Sequence, residues 1–156
     1  MIRLKHLLKE VALNDTQLKD KDLTAGKIIG NVYFSTESSK VDLSRDIHVG
    51  DADQAYDRAD MTINHYQNSK ETVPNVYIFK MILVLQNPCP KILWDVDKNV
   101  GHTKEDFLKY GNYNEFAYLN KGEGDTSSKR NISFYIIDPK RSLSNITLIE
   151  ILRTDN

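Results

Sequence analysis

The stretch that most restricts the fold of this chain is residues 47–59, which read IHVGDADQAYDRA. Three residues suited to a strand precede Gly50, and a helix is predicted to start at Asp51. Asp is a preferred N-cap residue, and Gln54, three positions later, completes a capping box. One face of this helix carries small or aromatic side chains, at Ala52, Ala55, Tyr56 and Ala59. The pattern therefore predicts a strand, a tight corner and a helix that packs closely on a sheet.

The remaining apolar runs predict further strands. The most apolar run is VYIFKMILVL at residues 76–85, which predicts a central strand covered on both faces because Lys80 alone interrupts it. Other strands are predicted at residues 27–35, 115–120, 132–137 and 146–152, with a short edge strand at residues 92–94. Helices are predicted at residues 2–12, which are amphipathic, and at residues 103–111, which begin with a cap and end at a glycine. This uneven mixture of strands and helices predicts an α+β fold.

Length and composition restrict the domain organisation and the class of partner. A chain of 156 residues predicts a single domain, with residues 1–26 as an N-terminal helical extension and residues 27–156 as the core. The formal net charge of −1 argues against a general nucleic-acid or membrane binder. Cys89 is the one cysteine of the sequence, which excludes an intramolecular disulfide and a zinc site built on cysteines. Since no secretory signal or apolar run near eighteen residues is found, we expect a cytoplasmic protein.

Several polar and aromatic residues are candidates for a site, and each has two interpretations. His48, at a strand end before a helix, is either a partly buried histidine bonded to backbone or a group that binds a ligand ribose or phosphate. Glu123, between two glycines, is either a solvated loop acid or a carboxylate that reaches a cleft. Tyr33, Phe34 and Ser35 end the first strand, as core residues or as a ligand platform. We expect no metal, because no two histidines have a metal-binding spacing.

Five segments follow one another in an order found in one group of proteins. They read IHVGDADQAYDRA, VYIFKMILVLQNP, KEDFLKYG, AYLNKGEG and ISFYIIDP. The first resembles a His-x-Gly-Thr, Gln-Ala, Arg-Ala pattern, and the fourth resembles Tyr-x-Asn-x-x-Glu before a strand that ends in Asp-Pro. In this order they resemble the ADP-ribosyltransferase-like domains of bacteria and their phages, and the resemblance spans roughly residues 30–140. Nucleotide-binding and hydrolase motifs such as the P-loop, Gly-x-Gly-x-x-Gly and Gly-x-Ser-x-Gly do not occur in the sequence.

The resemblance implies a split, curved β-sandwich with a cleft that takes NAD as a substrate. By matching position, Glu123 and His48 are the catalytic residues. The residues that the same match assigns to NAD binding are Tyr33, Ser35, Gly50, Tyr118 and Asn120. The sequence departs from the family pattern at two positions, because Phe34 stands where relatives carry a basic residue and Asp51 replaces a threonine.

Two functions from different classes follow from this comparison. The first is a phage- or bacteria-derived enzyme that transfers ADP-ribose from NAD to a host protein or another macromolecular target. The second is a non-catalytic binding or inhibitor protein on the same scaffold, such as an anti-defence protein. Phe34 favours the second function, whereas Glu123 and His48 favour the first. In either case we expect a protein of the bacterial cytoplasm.

Overall fold

The computed structural model describes residue 13 and residues 17–94, 103–120 and 131–153. Two of the predicted features, the helix at residues 2–12 and Glu123, lie outside the described residues. The described strands are β1 (Ile28–Thr36), β2 (Ile47–Val49), β3 (Val76–Val84), β4 (Glu115–Leu119), β5 (Ile132–Ile136) and β6 (Leu143–Leu152). The described α-helices are α1 (Ala52–Asn68), α2 (Lys104–Leu108) and α3 (Pro139–Ser142). The prediction of an α+β fold is confirmed.

The strands form two antiparallel sheets of three strands each. The first sheet has the order β1-β3-β6 and the second has the order β2-β5-β4. The two sheets meet where the Tyr33 N–H donates to the Gly50 carbonyl at 2.7 Å and the Gly50 N–H donates to the Tyr33 carbonyl at 3.1 Å. These two hydrogen bonds join β1 of the first sheet to the corner after β2 of the second sheet, and the chain continues from that corner into α1.

The largest hydrophobic core lies between the two sheets. Val32 and Met81 of the first sheet pack there against Val49 and Phe134 of the second. A second cluster lies on the outward face of the first sheet, where the alanines and Tyr56 of α1 pack against β1 and β3. A third lies on the outward face of the second sheet, where Phe107 of α2 is buried. The order of layers is thus α1, first sheet, second sheet and α2.

Local signals in the sequence account for most element boundaries. β1 contains a bulge at Gly30, whose φ of +108° is one that glycine adopts without strain. The capping box of α1 is confirmed, since the Asp51 carboxylate accepts from the Gln54 N–H at 2.8 Å and Gln54 Oε1 accepts from the Asp51 N–H at 2.8 Å. α1 continues to Asn68, beyond the predicted stretch, and packs its partly buried Ile63 against the cluster under the helix.

Three features differ from the sequence prediction: a strand that is absent, a helix that was not predicted and a strand that begins earlier. Residues 92–94 form a single parallel bridge, between Leu93 and Tyr118, instead of a strand. The segment after β5 contains the short helix α3, because Pro139 occupies a first-turn position where its fixed φ suits a helix. β6 begins directly after this turn, at Leu143, earlier than the predicted residue 146.

A buried carboxylate fixes the loop after β3. Glu115 is fully buried, and its Oε1 accepts from the N–H groups of Gln86 and Asn87 at 2.9 and 3.0 Å. Its Oε2 accepts from the Asn114 amide and from the Ser142 hydroxyl, both at 2.6 Å. These four donors satisfy the charge and hold the end of β3, the start of β4 and α3 together. In the described part of the chain, no helix has the length and apolarity needed to cross a membrane.

Candidate functional site

His48 and Tyr118 are joined on the outward face of the second sheet. The His48 Nδ1 atom lies 2.8 Å from the Tyr118 hydroxyl oxygen, although the residues are 70 positions apart. The register brings them together, because His48 of β2 is opposite Tyr135 of β5, and Tyr118 of β4 is opposite Ser133 of the same strand. His48 is half-buried, whereas Tyr118 is buried behind it. The Tyr118 hydroxyl therefore fixes the orientation of an imidazole that reaches the surface.

Aromatic rings surround this histidine. Its ring centroid lies 4.8 Å from that of Tyr135 and 5.7 Å from that of Tyr118, the latter edge-on at 86°. Phe107 stacks on Tyr135 at 4.4 Å and 18° and lies 6.1 Å from His48. We call these four residues the His48 cluster. Their packing holds the imidazole in one place and gives it an apolar surrounding.

The Tyr135 hydroxyl makes a hydrogen bond to Asp46 at the edge of the His48 cluster. It donates to the Asp46 carboxylate at 2.6 Å. Burial and, after it, the hydrogen bond and the negative charge of Asp46 raise the pKa of Tyr135 above its ordinary value near 10. Tyr135 is therefore a neutral donor across the physiological range. Asp46, one residue before β2, is thereby fixed beside the strand that carries His48.

A second group of polar residues lies next to the His48 cluster, at the start of α1. The Gln54 amide donates from Nε2 to the Ser133 hydroxyl oxygen at 2.9 Å, and the Asn120 amide donates to the same oxygen at 3.0 Å. We call Gln54, Ser133 and Asn120 the Ser133 network. Gln54 and Ser133 are buried and Asn120 is half-buried, so Asn120 is the member that reaches the surface.

Gly50 gives Gln54 the room to make these bonds. A Cβ atom at position 50 would overlap the Gln54 amide oxygen and lie 2.8 Å from Gln54 Cδ. The backbone of Gly50 is outside the left-handed region. Glycine is therefore required at this corner for space rather than for its conformation.

The structure brings together some of the residues assigned from the sequence and separates others. His48, Gly50, Tyr118 and Asn120 lie at the same end of the second sheet, in or beside the two groups just described. The Tyr33 side chain packs in the cluster under α1, and Ser35, two positions along β1, is on that same face of the first sheet. Glu123 is three positions beyond Asn120 in the sequence, outside the described residues.

Several residues of this region were not singled out from the sequence. They are Asp46, Phe107, Ser133 and Tyr135, and the bond from Gln54 to Ser133 was also missed. One signal was available, since pairing residues 115–120 with 132–137 as an antiparallel pair places Ser133 or its neighbour opposite Tyr118. The length of the intervening connection left that register undetermined.

The arrangement offers hydrogen bonds to a ligand rather than metal ligation. His48 on β2 and Asn120 after β4 present an imidazole and a carboxamide at the same end of the second sheet, where Ser133 is bonded to both Asn120 and the first turn of α1. Both groups suit the hydroxyls of a sugar. Among residues 17–94, 103–120 and 131–153, no three His, Cys, Asp or Glu side chains converge in a way that would hold a metal ion.

Comparison with other proteins found no relative. No family model matches the sequence, and searches of curated proteins and of solved structures returned no match.

Proposed function

We propose that this chain is an ADP-ribosyltransferase-like protein that takes NAD at the His48 cluster and transfers ADP-ribose to a host protein or another macromolecule. The observation that carries the proposal is the hydrogen bond between His48 and Tyr118. Both residues belong to segments that resemble the family, the first and the fourth of the five, and the fold joins them. The two packed antiparallel sheets are compatible with the split, curved β-sandwich of these domains.

In the proposed reaction the bond between C1′ of the nicotinamide ribose and the nicotinamide nitrogen breaks. Its electron pair leaves with the nicotinamide, which departs as a neutral molecule and needs no general acid. The transition state is oxocarbenium-like, as in glycoside cleavage. A nucleophilic oxygen or nitrogen of the target then bonds to C1′ and loses its proton to a base.

Each candidate residue has a role suited to its chemistry. His48 donates a hydrogen bond to a ribose hydroxyl, while Tyr118 holds the imidazole from behind. Asn120 binds a second hydroxyl through its carboxamide. Glu123 stabilises the positive charge that develops on the ribose, an effect worth about a hundredfold in rate for one preorganised group. We place this chemistry in the cytoplasm of a bacterial host.

Transfer of labelled ADP-ribose tests the enzymatic step. The chain is incubated with radioactive NAD and host lysate, and labelled products are separated by mass and identified. Label should appear on a discrete product with the unaltered chain and disappear with Glu123→Gln, while the circular dichroism spectrum stays unchanged. Undiminished labelling by Glu123→Gln would remove this carboxylate from the mechanism.

Binding of NAD is tested separately by thermal shift. A ligand that binds the native state alone raises the midpoint of unfolding, so millimolar NAD should raise it for the unaltered chain. His48→Ala should abolish the shift. His65→Ala is the matched control, because this histidine is exposed on α1 and should keep the full shift. No shift for the unaltered chain at millimolar NAD would contradict the proposal.

A non-catalytic binding function is the second candidate, and two observations favour it. Phe34 packs against the core between the sheets, where the family pattern has a basic residue. In addition, β6 lies at the edge of the first sheet and exposes Ile146, Leu148 and Ile151. Exposed apolar side chains on an edge strand are typical of surfaces that contact another protein. An inhibitor of a host defence complex would bind its target without any NAD-dependent labelling.

A further inference from the structure

Two buried side chains with no role in the proposed reaction, Gln54 of α1 and Ser133 of β5, connect α1 to Asn120. Gln54 is 1% exposed and Ser133 is 3% exposed. The Ser133 oxygen accepts from Gln54 Nε2 at 2.9 Å and from Asn120 Nδ2 at 3.0 Å. Gln54 is itself fixed, because its Oε1 accepts from the Asp51 N–H at 2.8 Å. One hydroxyl oxygen therefore connects the first turn of α1 to the carboxamide of Asn120.

We propose that Ser133 and Gln54 are positioning residues of the NAD site, and that they act by fixing the carboxamide of Asn120. This inference rests on the proposed function, since it requires that Asn120 contacts NAD. The bond to Ser133 uses the Asn120 Nδ2 group, so the carboxamide oxygen is held on the opposite side of the group. A rotating carboxamide would offer a donor or an acceptor at random, whereas a fixed one presents the acceptor to a ribose hydroxyl.

The geometry explains why serine suits this position. Both donors approach a single small side chain on β5, between the first turn of α1 and the residue after β4. An alanine would leave two amide N–H groups without their acceptor at a buried place, and the Asn120 carboxamide would turn toward another partner. Threonine keeps the hydroxyl and suits a strand, so it should keep both bonds.

A loss of stability alone would not establish positioning, and the chain offers a matched control. Ser142 is 4% exposed and also accepts from an asparagine amide, Asn114 Nδ2, at 2.8 Å. It belongs to the residues that donate hydrogen bonds to Glu115 rather than to the Ser133 network. Ser142→Ala thus removes an equally buried serine hydroxyl away from the Ser133 network. It shows how much NAD affinity changes through loss of stability alone.

Calorimetric titration with NAD tests the proposal, at a temperature where circular dichroism shows every variant to be folded. Ser133→Ala should bind NAD about tenfold more weakly than the unaltered chain, the value of one net hydrogen bond. Ser133→Thr should restore the affinity, and Ser142→Ala should match the unaltered chain. Ser133→Cys is the second variant, used also if Ser133→Ala does not fold. Its sulfur is a weak acceptor for the Asn120 amide, so it should weaken binding by a similar factor.

The outcomes separate this inference from the proposed function. Unchanged affinity in Ser133→Ala and Ser133→Cys would overturn the positioning role while leaving NAD binding intact. An equal loss in Ser133→Ala and Ser142→Ala would also overturn it, because the effect would then be one of general destabilisation. Failure of the unaltered chain to bind NAD would overturn the proposed function, and the positioning role with it.

Discussion

Tyr135 lies at the centre of the His48 cluster, and its ionisation provides a test of the cluster at the scale of one residue. In the unfolded chain its hydroxyl titrates near pH 10. In the folded chain, burial and then the Asp46 carboxylate raise its pKa. A group with a raised folded pKa contributes stability that is fully present below the unfolded pKa and is lost as the pH rises through the folded pKa. The free energy of unfolding should therefore fall above about pH 10.

Tyr135→Phe isolates this contribution. Near pH 7 the variant should be less stable by about 1 kcal/mol, because it lacks the hydrogen bond to Asp46. Above about pH 10 the difference from the unaltered chain should shrink, since phenylalanine has no proton to lose. Urea denaturation from pH 7 to 11 measures it, with Tyr110→Phe at an exposed position as the control. A difference that stays constant over this range would contradict the assignment.

Glu115 is a residue whose importance is structural. Its Oε2 accepts from the Asn114 amide and the Ser142 hydroxyl at a fully buried position. Glu115→Gln would place an NH₂ group against the Asn114 NH₂ group, or would turn it toward the N–H groups of Gln86 and Asn87. We expect a loss of about 3 kcal/mol in the free energy of unfolding. Urea denaturation measures this free energy. Glu71→Gln, at an exposed glutamate, is the control and should leave the free energy of unfolding almost unchanged. An equally small effect at Glu115 would contradict the role of its four hydrogen bonds.

At the scale of the elements, the sequence predicted what is decided locally. The capping box at Asp51 and the tight corner at Gly50 depend on neighbours within a few positions, and both are present. The short helix after Asp138 was missed, because four residues carry too little periodicity to distinguish a helical turn from a loop.

The candidate site was less predictable, since it depends on the register of distant strands. Tyr33 was assigned to the ligand by resemblance, yet its side chain packs under α1. His48, Tyr118 and Asn120 were found by the same resemblance, whereas Ser133, and the contact between His48 and Tyr118, come from pairing across β5. One hydrogen bond of His48 thus goes to a tyrosine side chain, a partner that the sequence did not suggest.

The corner between β2 and α1 gives a prediction about two neighbouring positions. Gly50→Ala should displace the Gln54 amide and remove its bonds to the Asp51 N–H and to Ser133. We expect a loss of about 2 kcal/mol in the free energy of unfolding. In a Gln54→Ala background, Gly50→Ala should lower the free energy of unfolding much less, because the Gln54 amide that it would displace is already absent. A double-mutant cycle measures this coupling, and additive effects would show that Gly50 is required for another reason.

At the scale of the whole molecule, the chain alternates between the sheets. β1 belongs to the first sheet, β2 to the second and β3 to the first, then β4 and β5 to the second and β6 to the first. No contiguous half of the described strands therefore contains a complete sheet. The core between the sheets draws residues from all six strands. Neither sheet can bury its inward face without the other, so the two should fold as one unit.

Denaturation with two probes tests this cooperativity. Trp94, the single tryptophan, lies beside the Leu93–Tyr118 bridge at the edge of the second sheet, so its fluorescence reports that sheet. Far-ultraviolet circular dichroism includes α1, which packs on the first sheet. The two urea transitions should coincide, with the same midpoint and slope, because the shared core makes partial unfolding costly.

Met81→Ala, in that core, should lower the free energy of unfolding by about 3 kcal/mol. Both urea midpoints should therefore move to lower concentration together. Met61→Ala, at an exposed position on α1, should shift neither. A fluorescence transition that precedes the dichroism transition would show that the second sheet unfolds alone, and the alternating topology would then not couple the sheets.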